Sequence, residues 1–485
     1  MSVIADLSEI SDYHAALGAL QARGRFGIQL GLGRTRALLR ALGDPQHSLP
    51  GVLIGGTNGK GSVQAMVAAV LRAGGSRVGQ TPKPHLVSYR ERILVDGRPI
   101  AAADFAPLIR DVLQSARSVP SRLGVPTEFE LLTAAAFRWF AQSAVRVAVI
   151  EVGLGGRLDA TNVWDGGVAA ITSVGLDHTE HLGHTTAAIG REKAAIIKRG
   201  NLAVSGVTGG GAAPIRWRAR RLGVPLVEVG PLEIEGMDRA GITVRHPTDG
   251  PLRIGLLGRH QALNAAVALA ILEALERADL AKVTPQALRA GLSGVRWPGR
   301  LELLALHRDG RACSPASGAL EPAAVDPLAP GPDPTDLLLD GAHNVDGARA
   351  LAEALGDLRP LLSAGRVTLL MGALRDKDVA GMVEALAGSD ALRGAQVVAS
   401  TVPDAPRSMS APDLASIWRG RASRGTSIQA VDHPAEALAV AVAAAHGHGG
   451  PLICCGSLYL VGAVRGQLVD DAELRDPPLP SRAEG

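Results

Sequence analysis

A short apolar run, Gly51-Val-Leu-Ile54, leads into Gly56-Thr-Asn-Gly-Lys-Gly-Ser62, and a helical pattern, Val63-Gln-Ala-Met-Val-Ala-Ala-Val-Leu71, follows at once. Strand, glycine-rich turn, lysine and helix is the layout of a phosphate-binding loop. Its glycines let backbone N–H groups curl around phosphate oxygens, and the helix N-terminus adds favourable partial charge. The candidate nucleotide-binding residues are therefore Thr57, Asn58, Gly59, Lys60, Gly61 and Ser62, with the Lys60 ammonium as the full charge. The usual spacing, G-x-x-x-x-G-K-[ST], is not fully met. Ile54 stands where a glycine is common, and the hydroxyl after Lys60 comes one place late, at Ser62. The alternative is a glycine-rich strand-to-helix turn that binds nothing.

Other short β-branched runs alternate with Ala- and Leu-rich helical patterns: 146–151, 168–174, 335–339, 367–371, 396–400 and 452–455. Such runs read as parallel strands buried on both faces, giving a doubly wound α/β fold whose site lies beyond the strands' carboxyl ends. The 485 residues suffice for two or three domains. A junction is expected near Arg296-Trp-Pro-Gly-Arg300, giving a nucleotide-binding domain over 1–297, a smaller Rossmann-like α/β domain over 298–472 and a flexible tail over 473–485. Ser314–Pro334, rich in Pro, Ala and Gly, reads as an insertion between two strands.

Composition excludes several roles. Aromatic residues are 3%, net charge is +3 and no dense Lys/Arg block occurs, so neither nucleic acid nor a membrane surface is expected as a partner. The three cysteines, Cys313, Cys454 and Cys455, form neither a disulfide framework nor a zinc site. The N-terminal stretch lacks an apolar signal region, and the apolar runs are too short to span a bilayer. A cytoplasmic protein is the expectation.

Each strand ends in polar residues. Glu151, before Gly-Leu-Gly-Gly-Arg157, is either a Mg²⁺ ligand or a salt-bridge partner of Arg157. His178 is either a metal or phosphate ligand or an exposed loop histidine, with His181 and His184 close by. Lys193, in Arg191-Glu-Lys-Ala-Ala-Ile-Ile-Lys198, would ordinarily be a solvated surface charge. Asp340 and His343, in Leu-Asp-Gly-Ala-His-Asn, can bind a ribose hydroxyl or orient an amine, or can simply form a turn.

Taken in order, these motifs resemble the folylpolyglutamate synthase/dihydrofolate synthase family, a branch of the Mur ligases. The resemblance runs through Phe26-Gly-Ile-Gln-Leu-Gly-Leu32, the phosphate loop, Pro84-His-Leu86, Phe129-Glu130, Glu151 to Asn162, Leu176-Asp-His-Thr179 and Glu192-Lys-Ala194. It continues through His260-Gln261 with Asn264, Trp297-Pro-Gly-Arg300, Leu339 to Asn344, Asp376-Lys-Asp378 and Gly456-Ser-Leu-Tyr-Leu-Val-Gly462. It implies an ATP- and Mg²⁺-dependent ligase that activates the carboxylate of dihydropteroate, or the γ-carboxyl of a folate, as an acyl phosphate and joins it to L-glutamate. A monomer is expected, and a second divalent or monovalent cation is allowed for. The runner-up readings are another Mur-type amide ligase and a catalytically degenerate nucleotide-binding homologue.

By the same resemblance, Glu151 and His178 match the Mg²⁺ ligands and Lys193 matches a lysine that becomes carbamylated. Asn264, Arg300 and Asp340 match residues that hold ATP. His343 would lie near the phosphates or the incoming glutamate. Phe129, Glu130, Leu158, Asp159 and Ala160 match the pterin site. One departure stands out: Thr81-Pro-Lys-Pro-His-Leu86 carries Lys83 where the family has a serine that ligates Mg²⁺, and an ammonium cannot do that. Either Lys83 places its own charge near the phosphates, or Thr81 supplies the oxygen.

Overall fold

The computed structural model describes residues 7, 10–24, 29–314 and 334–478. It divides into two compact units that are not separated by a single cut. The first takes 1–232, 263–294 and 473–485, and the second takes 233–262 and 295–472. The expected boundary at 297/298 thus marks only one of four crossings. Part of the Ser314–Pro334 insertion, and the resemblance at Phe26, lie outside the described residues.

Eight strands form the sheet of the first unit: β1 (Gly51–Gly55), β2 (Val78–Thr81), β3 (Leu94–Val95), β4 (Arg98–Pro99), β5 (Val147–Glu151), β6 (Gly167–Ile171), β7 (Leu202–Ser205) and β8 (Leu226–Glu228). Their order is β4-β3-β2-β5-β1-β6-β7-β8. The six strands β2, β5, β1, β6, β7 and β8 pair in parallel, while β3 runs antiparallel to both β2 and β4. β1 and β5 are buried along their whole length, as continuous apolar runs in a sheet covered on both faces should be. The long helix after β1, Lys60–Ala73, is buried from Ser62 to Leu71. It packs on helix Pro285–Gly294 so closely that a β-carbon at Gly291 would collide with the Val70 backbone. Phe105, Phe137, Phe140 and Trp164 fill the core, and the Trp164 indole N–H donates to the Leu49 carbonyl at 2.9 Å.

The described start of the expected tail is fastened to this unit. Tyr13 Oη donates to Asp476 at 2.9 Å, the Ser88 hydroxyl donates to the same carboxylate, and Arg90 donates to the carbonyls of Glu473 and Arg475 at 2.8 Å each. Buried donors need acceptors, and this stretch supplies them, so 473–478 is not a loose tail.

The second unit opens with an antiparallel three-stranded sheet, β9 (Glu233–Asp238), β10 (Gly241–His246) and β11 (Gly250–Ile254). Its main sheet holds β12 (Glu302–Leu306), β13 (Ala312–Cys313), β14 (Thr335–Leu339), β15 (Thr368–Met371), β16 (Gln396–Ser400), β17 (Ser427–Val431) and β18 (Leu452–Cys455), in the order β13-β12-β14-β18-β15-β16-β17. From β14 to β17 the pairing is parallel, while β12 runs antiparallel to both its neighbours. The expected pair of α/β domains is present, with antiparallel edges added to each parallel sheet. Among the described residues no helix is long and apolar enough to cross a membrane.

Candidate active site

In the first unit the loops after β2, β5, β1 and β6 emerge side by side from adjacent parallel strands. The loop after β1 is clamped by the loop after β6. Thr57 N–H donates to the Ser173 carbonyl at 2.9 Å, and Asn58 N–H donates to Ser173 Oγ at 2.9 Å. Thr172 and Ser173 hydroxyls donate to the Asn58 carbonyl at 2.6 and 2.9 Å. The sequence places a strand over 168–174, but β6 ends at Ile171. The backbone pairing runs on past that end, with Thr172 N–H donating to the Gly55 carbonyl at 2.9 Å, while the two hydroxyls reach across to the Asn58 carbonyl. Sequence reading passes over these two hydroxyls, which hold the loop after β1; their only signal is a hydroxyl pair closing an apolar run.

Gly59 sits at φ +83° before the helix, and a β-carbon there would collide with the side-chain oxygen of Asn264. Only glycine meets both demands without strain. The helix has no side-chain cap. Its opening N–H groups, in the turn that holds Lys60, Gly61 and Ser62, have no partner within the helix, as in every helix. Asn264 is itself buried and lies directly over the turn.

Two lysines converge below it. Lys60 Nζ donates to the carbonyls of Gly56 at 3.1 Å and Thr57 at 3.0 Å, and Lys193 Nζ donates to Gly56 at 2.8 Å. Lys193 is 3% exposed, so it is not the solvated surface charge that its helix pattern suggests. Burial pulls its pKa down to about 7; Lys60 pushes the same way, and Asp177 and Asp159 oppose. Glu151, also 3% exposed, lies 3.9 Å from Lys60 Nζ through Oε1. It does not pair with Arg157, which instead meets Glu192 at 2.9 Å. His178 adopts φ +49°, donates its backbone N–H to Asp177 at 2.9 Å and exposes its ring.

Lys83 turns toward the other side of Glu151. Its backbone N–H donates to Glu151 Oε2 at 3.1 Å, and its ammonium donates to the Glu151 main-chain carbonyl at 2.8 Å. The ammonium also lies 4.5 Å above the Phe129 ring centre. Burial pulls its pKa down to about 8, against the pull of Asp159 and Glu151. Thr81, the other candidate oxygen, accepts the Glu151 backbone N–H at 3.4 Å. Among the pterin candidates, Phe129 therefore lies against Lys83, and Leu158 and Ala160 flank Asp159 in the loop after β5.

Glu130 and Asp159 are committed to the backbone. Glu130 closes a capping box with Thr127, pairs with Arg34 at 2.9 Å and accepts the Thr35 hydroxyl. Asp159 accepts the N–H groups of Gly153, Leu154 and Thr161 at 3.0, 2.8 and 3.0 Å. Both carboxylates thus fix the segments that carry their neighbours.

In the second unit Asp340 follows β14 and is buried. It accepts the N–H groups of Leu301 and Ala342 at 2.9 Å each, and burial raises its pKa against the nearby Arg300. His343 Nδ1 bonds the Gly341 carbonyl at 2.8 Å.

A Mg²⁺ ion usually keeps several waters and takes one or two carboxylates plus substrate phosphates. The donor set fits that mode. Glu151 presents a hard carboxylate beside the phosphate-loop lysine, and among the described residues no cluster of three His, Cys, Asp or Glu would cage an ion by itself.

Comparison with known proteins agrees with the geometry. Residues 54–209 match the Mur ligase middle domain, and residues 331–467 match the dihydrofolate synthetase C-terminal domain. The dihydrofolate synthase/folylpolyglutamate synthase of Bacillus subtilis is 33% identical over 384 residues, 77% of this chain and 82% of the relative. A Mycobacterium tuberculosis folylpolyglutamate synthase complexed with ADP and AMPPCP superposes with a TM-score of 0.79 at 31% identity, over 96% of this chain and 100% of that one. Escherichia coli FolC in complex with DHPP and ADP gives 0.74 at 28% identity, over 94% and 97%. The chain belongs to the folylpolyglutamate synthase/dihydrofolate synthase family of Mur ligases, and it is an ATP-dependent ligase of that type in folate biosynthesis.

Proposed function

We propose that the protein binds ATP at the loop Thr57–Ser62 and uses it to join L-glutamate to dihydropteroate, to the γ-carboxyl of a reduced folate, or to both. The observation that carries this reading is the convergence of Lys60 and Lys193 on the Gly56 carbonyl beneath an uncapped helix N-terminus, with Glu151 alongside. An acceptor carboxylate oxygen attacks the γ-phosphorus, and the bond to the β–γ bridging oxygen breaks, releasing ADP. The neutral amine of glutamate then attacks the acyl carbon, the carbon–oxygen bond to phosphate breaks, and the nitrogen gives up a proton to solvent as the amide forms. Lys60 and the helix N-terminus stabilise charge gathering on the phosphoryl oxygens, where positioning and electrostatics supply most of the acceleration. Glu151 and His178 would hold Mg²⁺, which would further neutralise phosphate charge.

Phe129, Leu158 and Ala160 would line the pterin site, while Glu130 and Asp159 hold its backbone. Asn264 would pack on the nucleotide over Gly59. Arg300 and Asp340 are proposed nucleotide-binding groups, and His343 a group near the phosphates or the glutamate, on motif likeness alone. Lys193 is proposed to take up CO₂ as a carbamate. Burial supports this, because a pKa of about 7 leaves much of its amine neutral near neutral pH. A carbamate carbon signal from labelled bicarbonate, lost in Lys193→Ala, would establish it; no signal in the wild type would remove it. The overall reading is tested by phosphate release with ATP, Mg²⁺, L-glutamate and either dihydropteroate or a reduced folate. Glutamate-dependent release is expected with at least one acceptor, and none with either would overturn the reading.

A further inference from the structure

The loop between β2 and β3 brings Lys83 to Glu151, and its far half is fastened by residues from the other end of the chain. One carboxylate gathers the middle of this loop: Glu91 accepts the N–H groups of Leu86, Val87 and Ser88 at 3.0, 2.7 and 2.6 Å. Arg92 Nε donates to His85 at 2.9 Å, and the His85 ring centre lies 4.2 Å from that of Tyr89. The stretch from His85 to Arg92 is thereby tied into one piece. At its front edge the Lys83 backbone N–H donates to Glu151 Oε2 and the Lys83 ammonium to the Glu151 carbonyl.

The back of that piece meets the segment 473–477. Ser88 is fully buried, and its hydroxyl donates to Asp476. Arg90, also buried, donates to the Glu473 and Arg475 carbonyls and holds its Nε 3.4 Å from Asp476 Oδ1. The segment is itself pinned to helix Tyr13–Gly24: Tyr13 donates to the other oxygen of Asp476, and the His14 ring bonds the Pro477 carbonyl at 2.8 Å. A buried hydroxyl that loses its acceptor must stay unpaired or pull its segment open. Thr81 and Leu94 are held in strands, so slack at Ser88 is taken up within 82–93, the stretch that carries Lys83.

We propose that Asp476 is a positioning residue for the active site: by holding Ser88 and Arg90 it sets the loop between β2 and β3 so that Lys83 meets Glu151 and fixes that carboxylate beside Lys60. Asp476 acts only through this loop. The inference rests on the reading of Glu151 given above as the carboxylate that would hold Mg²⁺.

The test compares the full-length wild type with Asp476→Ala and Asp476→Asn. Alanine strands the Ser88 hydroxyl. Asparagine keeps an acceptor oxygen for it and offers an amide N–H to Tyr13, whose hydroxyl accepts as well as donates. In hydrogen exchange read by mass spectrometry without ligands, peptides over 83–92 should exchange about ten-fold faster in Asp476→Ala, while those within helix Lys60–Ala73 keep their rates. The kcat for glutamate-dependent phosphate release should fall about ten-fold in that variant, with AMPPCP affinity changed by less than about two-fold, because the loop after β1 is untouched. Asp476→Asn should restore most of both losses. Unchanged exchange over 83–92 overturns the proposal, as does faster exchange with kcat intact. A loss of AMPPCP affinity that matches the loss of kcat, or faster exchange in helix Lys60–Ala73 as well, assigns Asp476 to general stability and overturns it too. A wild type without glutamate-dependent release sinks the ligase reading and this inference with it, a result distinct from an active wild type whose variants fail the exchange test. If Asp476→Ala does not fold, Ser88→Ala, which removes the loop's side of the same hydrogen bond, decides by the same readouts.

Discussion

Two turns in this molecule share one plan and are finished in opposite ways. In the first unit β1 leads through the phosphate loop into helix Lys60–Ala73, and in the second β14 leads through Asp340-Gly-Ala-His-Asn344 into helix Val345–Leu358. The second helix is closed by its own chain: Asn344 accepts the Gly347 N–H at 2.8 Å, and Asp340 and His343 bond nearby backbone. The first has Gly59 at the same place and no side-chain cap, while two lysines gather beneath its loop. A capped N-terminus is rigid on its own. An uncapped one, held from outside by Thr172 and Ser173, keeps its donors for an anion.

Removing the charge beneath the open turn should have the largest effect. Lys60→Met should lower kcat for glutamate-dependent phosphate release by about a hundred- to a thousand-fold, with the melting temperature little changed. If activity survived, the open helix end alone would suffice. Next, Gly59→Val forces a β-branched residue to φ +83° against Asn264. It should cost about 1–3 kcal/mol of stability and weaken AMPPCP binding, measured by denaturant unfolding and calorimetry.

A third experiment probes the buried lysine. The folded-state pKa of Lys193 is depressed to about 7 from an ordinary value of 10.5. Between those values the unfolded chain binds more protons than the native one, so this residue makes stability rise with pH from about 7 to about 10.5. Below that window its penalty is constant, because both states are protonated. In Lys193→Met, compared in CO₂-free buffer, that part of the slope should vanish, and identical slopes in wild type and variant would show that the ammonium is not destabilised by burial. The smallest effect is expected at the closed turn: Asn344→Ala should cost about 1 kcal/mol in unfolding free energy and leave AMPPCP affinity unaltered.

The contrast also marks where sequence reading stops. The runs at 335–339, 396–400 and 452–455 coincide with β14, β16 and β18, because strands buried on both faces leave continuous apolar segments. β17 and β9 are largely exposed along their length and leave no such trace. The turn from β1 into helix Lys60–Ala73 is legible because the apolar run, the glycines and the helical pattern follow in order. The tasks of Glu130 and Asp159 are not, since a carboxylate that binds backbone N–H groups looks, in one dimension, like one that waits for a ligand. Nor does sequence reveal which side of Glu151 the Lys83 ammonium takes, as that depends on the bend of the loop after β2.

The interleaving of the two units bears on how the protein comes off the ribosome. Because the first unit recovers 263–294 and then 473–478 after each excursion into the second, it is not a continuous stretch that synthesis finishes first. Tyr13, Ser88 and Arg90 are made early, yet the carboxylate and carbonyls that satisfy them, at Asp476, Glu473 and Arg475, emerge after every strand of the second unit. The final clasp on the first unit is therefore translated only after the whole of the second, and the first is sealed only once the other has been made.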